Sequence, residues 1–160
     1  MTRNKLILGL MVVVGAGLWG AFRPERLFVN AKVNESLGAV QGDASKVTTL
    51  ATGAFHAVHH ETKGAATILS LADGKRVLRL SEFETSNGPD VRVYLVASTD
   101  ATDNDTVTNA GFIEVGALKG NIGDQNYDVP ATVDLTKYRT VTIWCRRFGV
   151  NFGSAPLTKS

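Results

Sequence analysis

The sequence is poor in the residues that most often mark a metal or redox centre: its 160 residues include one cysteine, two methionines and three histidines. The single cysteine, Cys145, excludes an intrachain disulfide, a Cys-x-x-Cys redox pair, a cysteine-rich zinc site and covalent attachment of a c-type haem. It also lies far from the N-terminus, which excludes a lipid-modified cysteine after a signal sequence. A blue-copper site fits poorly too, because no histidine follows Cys145 and both methionines lie at or in the N-terminal apolar segment.

A strong excess of charge of one sign is also missing. Charged residues make up 20% of the chain, and the formal net charge is +2. The excess lies in the first 26 residues, where Arg3, Lys5, Arg23 and Arg26 are accompanied only by Glu25, so the rest of the chain is close to neutral. A near-neutral body does not suit binding to a phosphate backbone, and no nucleic-acid partner is predicted.

One long uncharged run is present, over residues 6–22, with Arg3 and Lys5 before it. As a helix it would be about 25 Å long, which is enough for a thin bilayer. We predict a retained signal anchor that binds the membrane, because the apolar residues continue past Gly17, where a signal peptidase would cut; a cleaved signal peptide is the alternative. With the anchor, residues 1–5 form a cytoplasmic head and the C-terminal part is an extracytoplasmic domain of a single-pass protein of the cell membrane; with cleavage, that part is secreted.

The remainder divides into a stalk and one domain. Residues 23–47 have no sustained periodicity and contain several Asn, Gly and Ser residues, so we predict a partly ordered stalk, with Leu27-Phe28-Val29 docking on the membrane surface or the domain. Residues 48–158 carry the signals of short strands. Two segments differ: the polar residues 98–109 predict a surface loop, and residues 134–138 predict at most one turn of helix.

The domain is predicted to be an all-β, antiparallel β-sandwich of about eight short strands. Strands of this length, separated by Gly and Asn turns, are typical of that class. The Asp73-Gly74 pair predicts a hairpin with two positive-φ positions. Alternation of apolar and polar residues places four side chains in the core: Leu80, Val93, Leu95 and Ile143.

Three histidines lie close together in the sequence, at positions 56, 59 and 60, and suggest a metal or cofactor site. On a strand, His56 and His60 would be about 13 Å apart, and His59 and His60 would point to opposite faces. At most two of them could bind one ion without further ligands, so no metal site is predicted. His59 and His60 stay as candidate cofactor ligands, with surface or turn histidines as the alternative.

Two other motifs resemble ligand sites only in composition. The stretch from Gly116 to Gly123 is rich in glycine but lacks the Gly-Lys-Ser/Thr ending of a phosphate-binding loop. The acidic residues 100–105 lack the calcium-binding pattern of an EF-hand. We interpret the first as turns and the second as a solvated loop.

Cys145 is the most informative residue. In Val141-Thr-Ile-Trp144-Cys145 it lies on the same face of the predicted strand as the apolar residues two and four positions before it. After Arg146-Arg147 the apolar residues change to the even-numbered positions, which predicts a bulge or tight bend at the two arginines. One interpretation is a buried, inert core cysteine. The other is a thiol at the rim of the core, supported by Trp144, whose thiolate form the two arginines favour.

Five stretches in order are specific enough to indicate a family. They are His60-Glu-Thr-Lys-Gly64, Asp73-Gly-Lys-Arg-Val-Leu-Arg-Leu80, Phe83-Glu-Thr-Ser-Asn-Gly-Pro-Asp90, Leu118-Lys-Gly-Asn-Ile-Gly-Asp-Gln-Asn-Tyr127, and Val141-Thr-Ile-Trp-Cys145 through Phe152-Gly-Ser-Ala-Pro-Leu157. Over roughly residues 50–158 the chain resembles the DM-thirteen domain, also called the electron-transfer DM domain. The N-terminal apolar segment and stalk also resemble those of bacterial members.

The resemblance implies an extracytoplasmic β-sandwich related to cytochrome-type DOMON domains, with a redox role at the cysteine that matches Cys145. It implies no particular cofactor and no stand-alone enzyme. A single thiol needs an intermolecular disulfide with a redox partner protein, a sulfenic acid cycle or a bound cofactor. Non-covalent haem, held by Cys145 or by one of His56, His59 and His60, is one such cofactor. The alternative function is an envelope binding or adhesion module in which Cys145 is purely structural.

Overall fold

The computed structural model describes residues 7, 9–15, 17, 29–37 and 47–160. Within them, ten strands form two five-stranded antiparallel sheets that enclose one main core. In chain order the elements are β1 (Thr48–Ala54), β2 (His56–Ala57), β3 (Lys63–Ser70), β4 (Arg76–Glu84), β5 (Val91–Val96), α1 (Asn104–Ala110), β6 (Phe112–Ala117), β7 (Gln125–Val129), β8 (Thr140–Cys145), β9 (Val150–Pro156) and β10 (Thr158–Lys159).

The first sheet has the order β10-β1-β3-β4-β7, and the second has the order β2-β9-β8-β5-β6. The chain is therefore an all-β antiparallel sandwich, as predicted. The strand number is higher than the predicted eight mainly because β2 and β10 have two residues each, too few to produce an alternating pattern. The four predicted core residues, Leu80, Val93, Leu95 and Ile143, are each 0% exposed, which confirms that prediction.

The hairpin between β3 and β4 forms as predicted, but its turn differs in detail. The amide of Gly74 donates to the carbonyl of Leu71, and the amide of Leu71 donates to the carbonyl of Lys75, so residues 72–74 form a three-residue loop. Only Gly74 has a positive φ, of 83°. The expectation of two positive-φ positions was wrong, because a three-residue hairpin needs the left-handed conformation only at its last position.

The polar segment after β5 is irregular over residues 98–103, as its composition predicted, but the prediction of a loop was wrong for the residues that follow. Residues 104–110 form α1, and Asp103 caps its N-terminus by accepting a hydrogen bond of 2.7 Å from the amide of Thr106. Val107 and Ala101 are both 0% exposed and pack over the outer face of the second sheet. Val107 is the only residue of α1 that is buried, and one buried apolar residue in a seven-residue helix produces no recognisable period.

The predicted N-terminal apolar segment lies only in part within the described residues. Residues 7, 9–15 and 17 are helical and exposed. Among the described residues, no helix has both the length and the apolar character needed to span a bilayer. Of the stalk, residues 29–37 are described and pack against the domain, whereas Leu27 and Phe28 lie outside the described residues.

Candidate functional site

Cys145 is the last residue of β8, and its side chain belongs to the core between the two sheets. It is 0% exposed and lies in the same apolar cluster as Val141 and Ile143, which confirms the predicted strand phase. In the sheet it is opposite Val91 of β5 and Val150 of β9. The thiol is thus enclosed by apolar side chains, although it stands at the very end of its strand.

The predicted bend after Cys145 is a tight hairpin turn over residues 146–149. The amide of Gly149 donates to the carbonyl of Cys145 over 2.9 Å, and Gly149 adopts a positive φ of 63°. The register also shifts between Ile143 and Trp144, so Phe152 is an extra residue on the β9 side. The irregularity that the sequence indicated is therefore present next to the thiol.

Arg146, one of the two arginines predicted to favour a thiolate, forms ion pairs with carboxylates. Arg146 Nε donates to Asp90 Oδ2 at 2.9 Å, and its Nη1 lies 3.5 Å from a Glu114 carboxylate oxygen. Asp90 also accepts from Arg92 at 2.6 Å. Burial opposes ionisation of Asp90, but the hydrogen bonds from the two arginines outweigh it and lower its pKa. The charge of Arg146 is directed to this ion-pair cluster, and Arg147 lies in the exposed turn.

Trp144 faces the opposite side of β8 from Cys145. Its ring stacks with that of Tyr94 at a centroid distance of 6.3 Å, and Tyr94 stacks in turn with Phe112 at 4.3 Å. Trp144 and Tyr94 are buried beneath α1, whereas Phe112 is 45% exposed. Sequence reasoning missed Tyr94 as the partner of Trp144, and Phe112 as the partner of Tyr94. The one signal in the sequence was that Tyr94 lies among the polar positions of β5.

The histidines are held at two separate places. His56 Nε2 lies 2.9 Å from Asp100 Oδ1; burial lowers the pKa of His56, but the hydrogen bond with Asp100 outweighs this and the net shift is upward. The His60 ring packs on Phe152 at a centroid distance of 3.9 Å, and burial lowers its pKa, helped by the charge of His59. His59 is exposed. Across the part of the chain that the structure describes, no three His, Cys, Asp or Glu side chains converge on one point.

A cleft of about 720 Å³ opens beside the end of the second sheet that carries Cys145. It is lined by residues 29–31, 86–92 and 117–121, which include Val91, the strand neighbour of Cys145, and Asp90. The loop before Val91 packs tightly, because a Cβ on Gly88 would lie 3.0 Å from the Phe152 ring. Sequence reasoning missed this cleft, because its walls come from three separate segments of the chain and the Gly116–Gly123 stretch was interpreted only as turns.

The described residues do not fit a haem. The lining of the cleft contains no His, Cys or Met to act as an axial ligand. Cys145 is enclosed in the core, His56 is hydrogen-bonded to Asp100 and His60 packs on Phe152. His59 is exposed and does not line the cleft. The candidate site is therefore the thiol of Cys145 with its core cover and the adjacent cleft.

These features define the class of protein: a two-sheet antiparallel sandwich with one buried cysteine at the end of a central strand. Residues 54–157 match the family model described as electron transfer DM13, so the chain belongs to the electron transfer DM13 family. The matched residues include Cys145 and both loops of the cleft. No curated protein and no solved structure gives a significant match to the chain.

Proposed function

We propose that this protein is an extracytoplasmic electron-transfer module that its N-terminal apolar segment holds at a membrane, and that Cys145 is its redox group. The observation that carries the proposal is the match to the electron transfer DM13 family over residues 54–157, which includes the cysteine. The uncharged residues 6–22, with Arg3 and Lys5 before them, support the tether and its orientation.

The chemistry open to a single thiol is limited. Because Cys145 is the only cysteine, it has no partner within the chain. In the proposed cycle its sulfur attacks a peroxide, the O–O bond breaks, water or an alcohol leaves and a sulfenic acid forms. A thiol of a partner protein then displaces water and forms a mixed disulfide, and a second thiol of that partner restores the Cys145 thiol while the partner becomes a disulfide. Two electrons thus pass from the partner to the peroxide.

The thiol must be uncovered for this reaction, because Cys145 is 0% exposed. The carbonyl of Cys145 is bonded to Gly149 of the hairpin turn, and Arg146, Arg147 and Phe148 of that turn are all exposed. The proposal requires that this hairpin end opens locally while the rest of the sandwich stays paired, as local openings in proteins do. The proposal therefore expects thiol reactivity that is slow but faster than global unfolding.

The test is thiol titration of the full chain in detergent, in the native state and in denaturant, together with an absorbance spectrum and a probe for sulfenic acid after peroxide treatment. We expect a native reaction rate above the global unfolding rate, and one sulfenic acid per chain. Cys145→Ala is the matched control, since it removes every thiol. A thiol that reacts only at the rate of global unfolding would contradict the redox role of Cys145.

The tether has its own test. A retained anchor predicts that the native protein stays with membranes after carbonate and high-salt washes, at the mass of the full chain. Release at a mass that begins near Leu18 would show cleavage after Gly17 and a secreted protein instead. Either result leaves the redox test of Cys145 unaffected.

A second candidate function is a non-catalytic envelope binding module with a structural cysteine. The complete burial of Cys145 and the separate cleft of about 720 Å³ favour it. This candidate predicts a colourless protein whose thiol reacts only on unfolding. The titration above therefore separates the two functions.

A further inference from the structure

The stalk crosses one loop of the domain as an extended peptide. We call residues 30–36 the strap and residues 119–126 the groove. The amide of Val33 donates to the carbonyl of Ile122 over 2.9 Å, and the amide of Ile122 donates back to the carbonyl of Ala31 over 3.3 Å, which is the pattern of a parallel bridge. The amide of Glu35 then donates to the carbonyl of Asp124 over 2.9 Å. Main-chain pairing of this kind is how sheet-forming peptides are recognised.

Side chains of the groove contact both ends of the strap. Asn121, which is 6% exposed, accepts from the amide of Ala31 at 2.8 Å and donates to Asn30 Oδ1 at 3.0 Å. Lys119 Nζ lies 2.7 and 2.9 Å from the two carboxylate oxygens of Glu35. The hydrogen bond from Lys119 is the main cause that lowers the pKa of Glu35. The groove thus selects an amide at one end and a glutamate at the other.

The glycines of the groove permit the close approach of the strap. A Cβ on Gly120 would lie 2.4 Å from the carbonyl oxygen of Ala31, and one on Gly123 would lie 2.0 Å from that of Val33. Contacts this short require glycine. The glycine-rich stretch that had been interpreted as turns therefore has a second role, which is to admit another segment of backbone.

Hydrogen bonds from within the domain hold the groove, in addition to its contacts with the strap. Gln125 is 0% exposed, accepts from the amides of Lys119 and Gly120 at 3.1 and 3.2 Å, and donates to the carbonyl of Gly120 at 2.7 Å. The hydroxyl of Tyr127 donates to the same amide oxygen at 2.8 Å. The domain holds the loop from within, so a peptide meets a preformed surface.

The strap, by contrast, is bound without apolar anchoring. None of residues 29–37 is buried. The contacts of the strap include main-chain hydrogen bonds, the partly exposed ion pair with Lys119, and side-chain hydrogen bonds from Asn121, Arg79, Asn126 and Asn87. The groove lies inside the family match of residues 54–157, whereas the strap lies outside it. The strap also supplies Asn30 and Ala31 to one wall of the cleft beside Cys145.

We propose that residues 119–126 form a binding site for an extended peptide that carries a glutamate, and that the strap is its resident intramolecular ligand, which closes one side of the cleft. The site does not depend on the redox role of Cys145. It links the stalk to the cleft, since release of the strap from the groove removes one wall of that cleft.

The first test is limited trypsin digestion of the full chain at Lys32, whose flanking backbone is paired in the groove. Gly120→Ala blocks the groove, and we expect it to increase cleavage at Lys32 at least tenfold. Val33→Pro, which removes the amide that bonds to Ile122, is kept for the second test because trypsin does not cleave a Lys-Pro bond. Asn34→Ala, at an exposed position of the strap, is the matched control and should cleave at the wild-type rate. Urea unfolding of each variant verifies that the domain stays folded.

The second test supplies the ligand separately. A labelled peptide with the sequence of residues 29–37 should bind the Val33→Pro chain, whose own strap is released, and should not bind the Val33→Pro/Gly120→Ala chain. The same peptide with Glu35→Gln should bind roughly fivefold more weakly, because it loses the charge of the Lys119 pair. Wild-type protection of Lys32 in a folded Gly120→Ala chain would overturn the proposal, and so would failure of the peptide to bind the Val33→Pro chain.

Discussion

The outer faces of the two sheets differ in how much they are exposed to solvent. On the first sheet, Thr52 is exposed and Thr67 is half-buried. On the second sheet, Thr142 and Trp144 are buried, because the segment that contains α1 packs over them. A sandwich of this size normally leaves its outer faces to solvent.

The difference explains why β8 is buried along its whole length. Val141, Ile143 and Cys145 face the main core, while Thr142 and Trp144 face the smaller cluster under α1. The strand that carries the cysteine is therefore held from both sides. A thiol in such a strand can be reached only from its end, next to the hairpin turn.

The largest loss of stability is expected for a substitution on the covered outer face of the second sheet. Trp144→Ala should lower the free energy of unfolding by about 3–5 kcal/mol, because it removes a buried aromatic ring and its stacking with Tyr94. Phe148→Ala is the matched control in the adjacent turn, where the ring is 68% exposed, and should change it by less than about 0.5 kcal/mol. Urea denaturation measures both, and equal losses would show that the outer face is not a second core.

The inner face is tested at the cysteine. Cys145→Ser should lower the free energy of unfolding by about 1–3 kcal/mol, because it places a hydroxyl group in an apolar cluster. Cys145 is 0% exposed, so water cannot reach that hydroxyl group. Cys145→Ala should cost less, since it adds no polar group, and it is the better variant for redox measurements. Thermal unfolding of the two variants compares them, and a serine variant as stable as wild type would indicate a looser cover over the thiol.

A matched pair of threonines compares the outer faces directly. Thr142 Oγ1 is 3.0 Å from Ser154 Oγ in a buried site, and Thr52 Oγ1 is 3.2 Å from Thr67 Oγ1 in an exposed one. Thr142→Ala should cost about 1 kcal/mol, and Thr52→Ala less than about 0.5 kcal/mol. Equal shifts of the denaturant midpoint in the two variants would show that the cover over the second sheet contributes little to stability.

The smallest expected effect is a pH dependence of stability, which has opposite signs for His56 and His60. The pKa of His56 is raised above 6.5 by Asp100, so its contribution to stability is present below that pH and is lost as the pH rises through the folded value. The pKa of His60 is lowered by burial, so its contribution is present above pH 6.5 and is lost as the pH falls through the folded value.

The stability difference between wild type and His56→Gln should therefore shrink from pH 5 to 8, and the difference for His60→Gln should grow. Each change is a fraction of a kcal/mol, because the His56 side chain is 38% exposed and solvent screens its pair. Urea midpoints at several pH values measure both. Parallel trends for the two variants would contradict the assigned partners.

The sequence alone determined the features that depend on neighbouring residues. Alternation gave the antiparallel sandwich and its core, and the phase change after Cys145 predicted the bend that the structure shows at residues 146–149. These features are local, since side-chain alternation and turn preference act over a few residues. The inward direction of the Cys145 side chain followed from the same pattern, whereas the structure decided between a buried cysteine and one at the rim of the core.

Tertiary structure decided what lies next to each site. Arg146 binds Asp90, 56 residues away, and Ala31 binds Asn121, 90 residues away. The cover over Trp144 depends on Val107, the single buried residue of α1. One buried residue is too few to produce a helical period in the sequence. Such contacts arise only when distant segments pack together, because hydrogen bonds and ion pairs are selected by the distances between side chains in space and leave no repeating pattern along the chain.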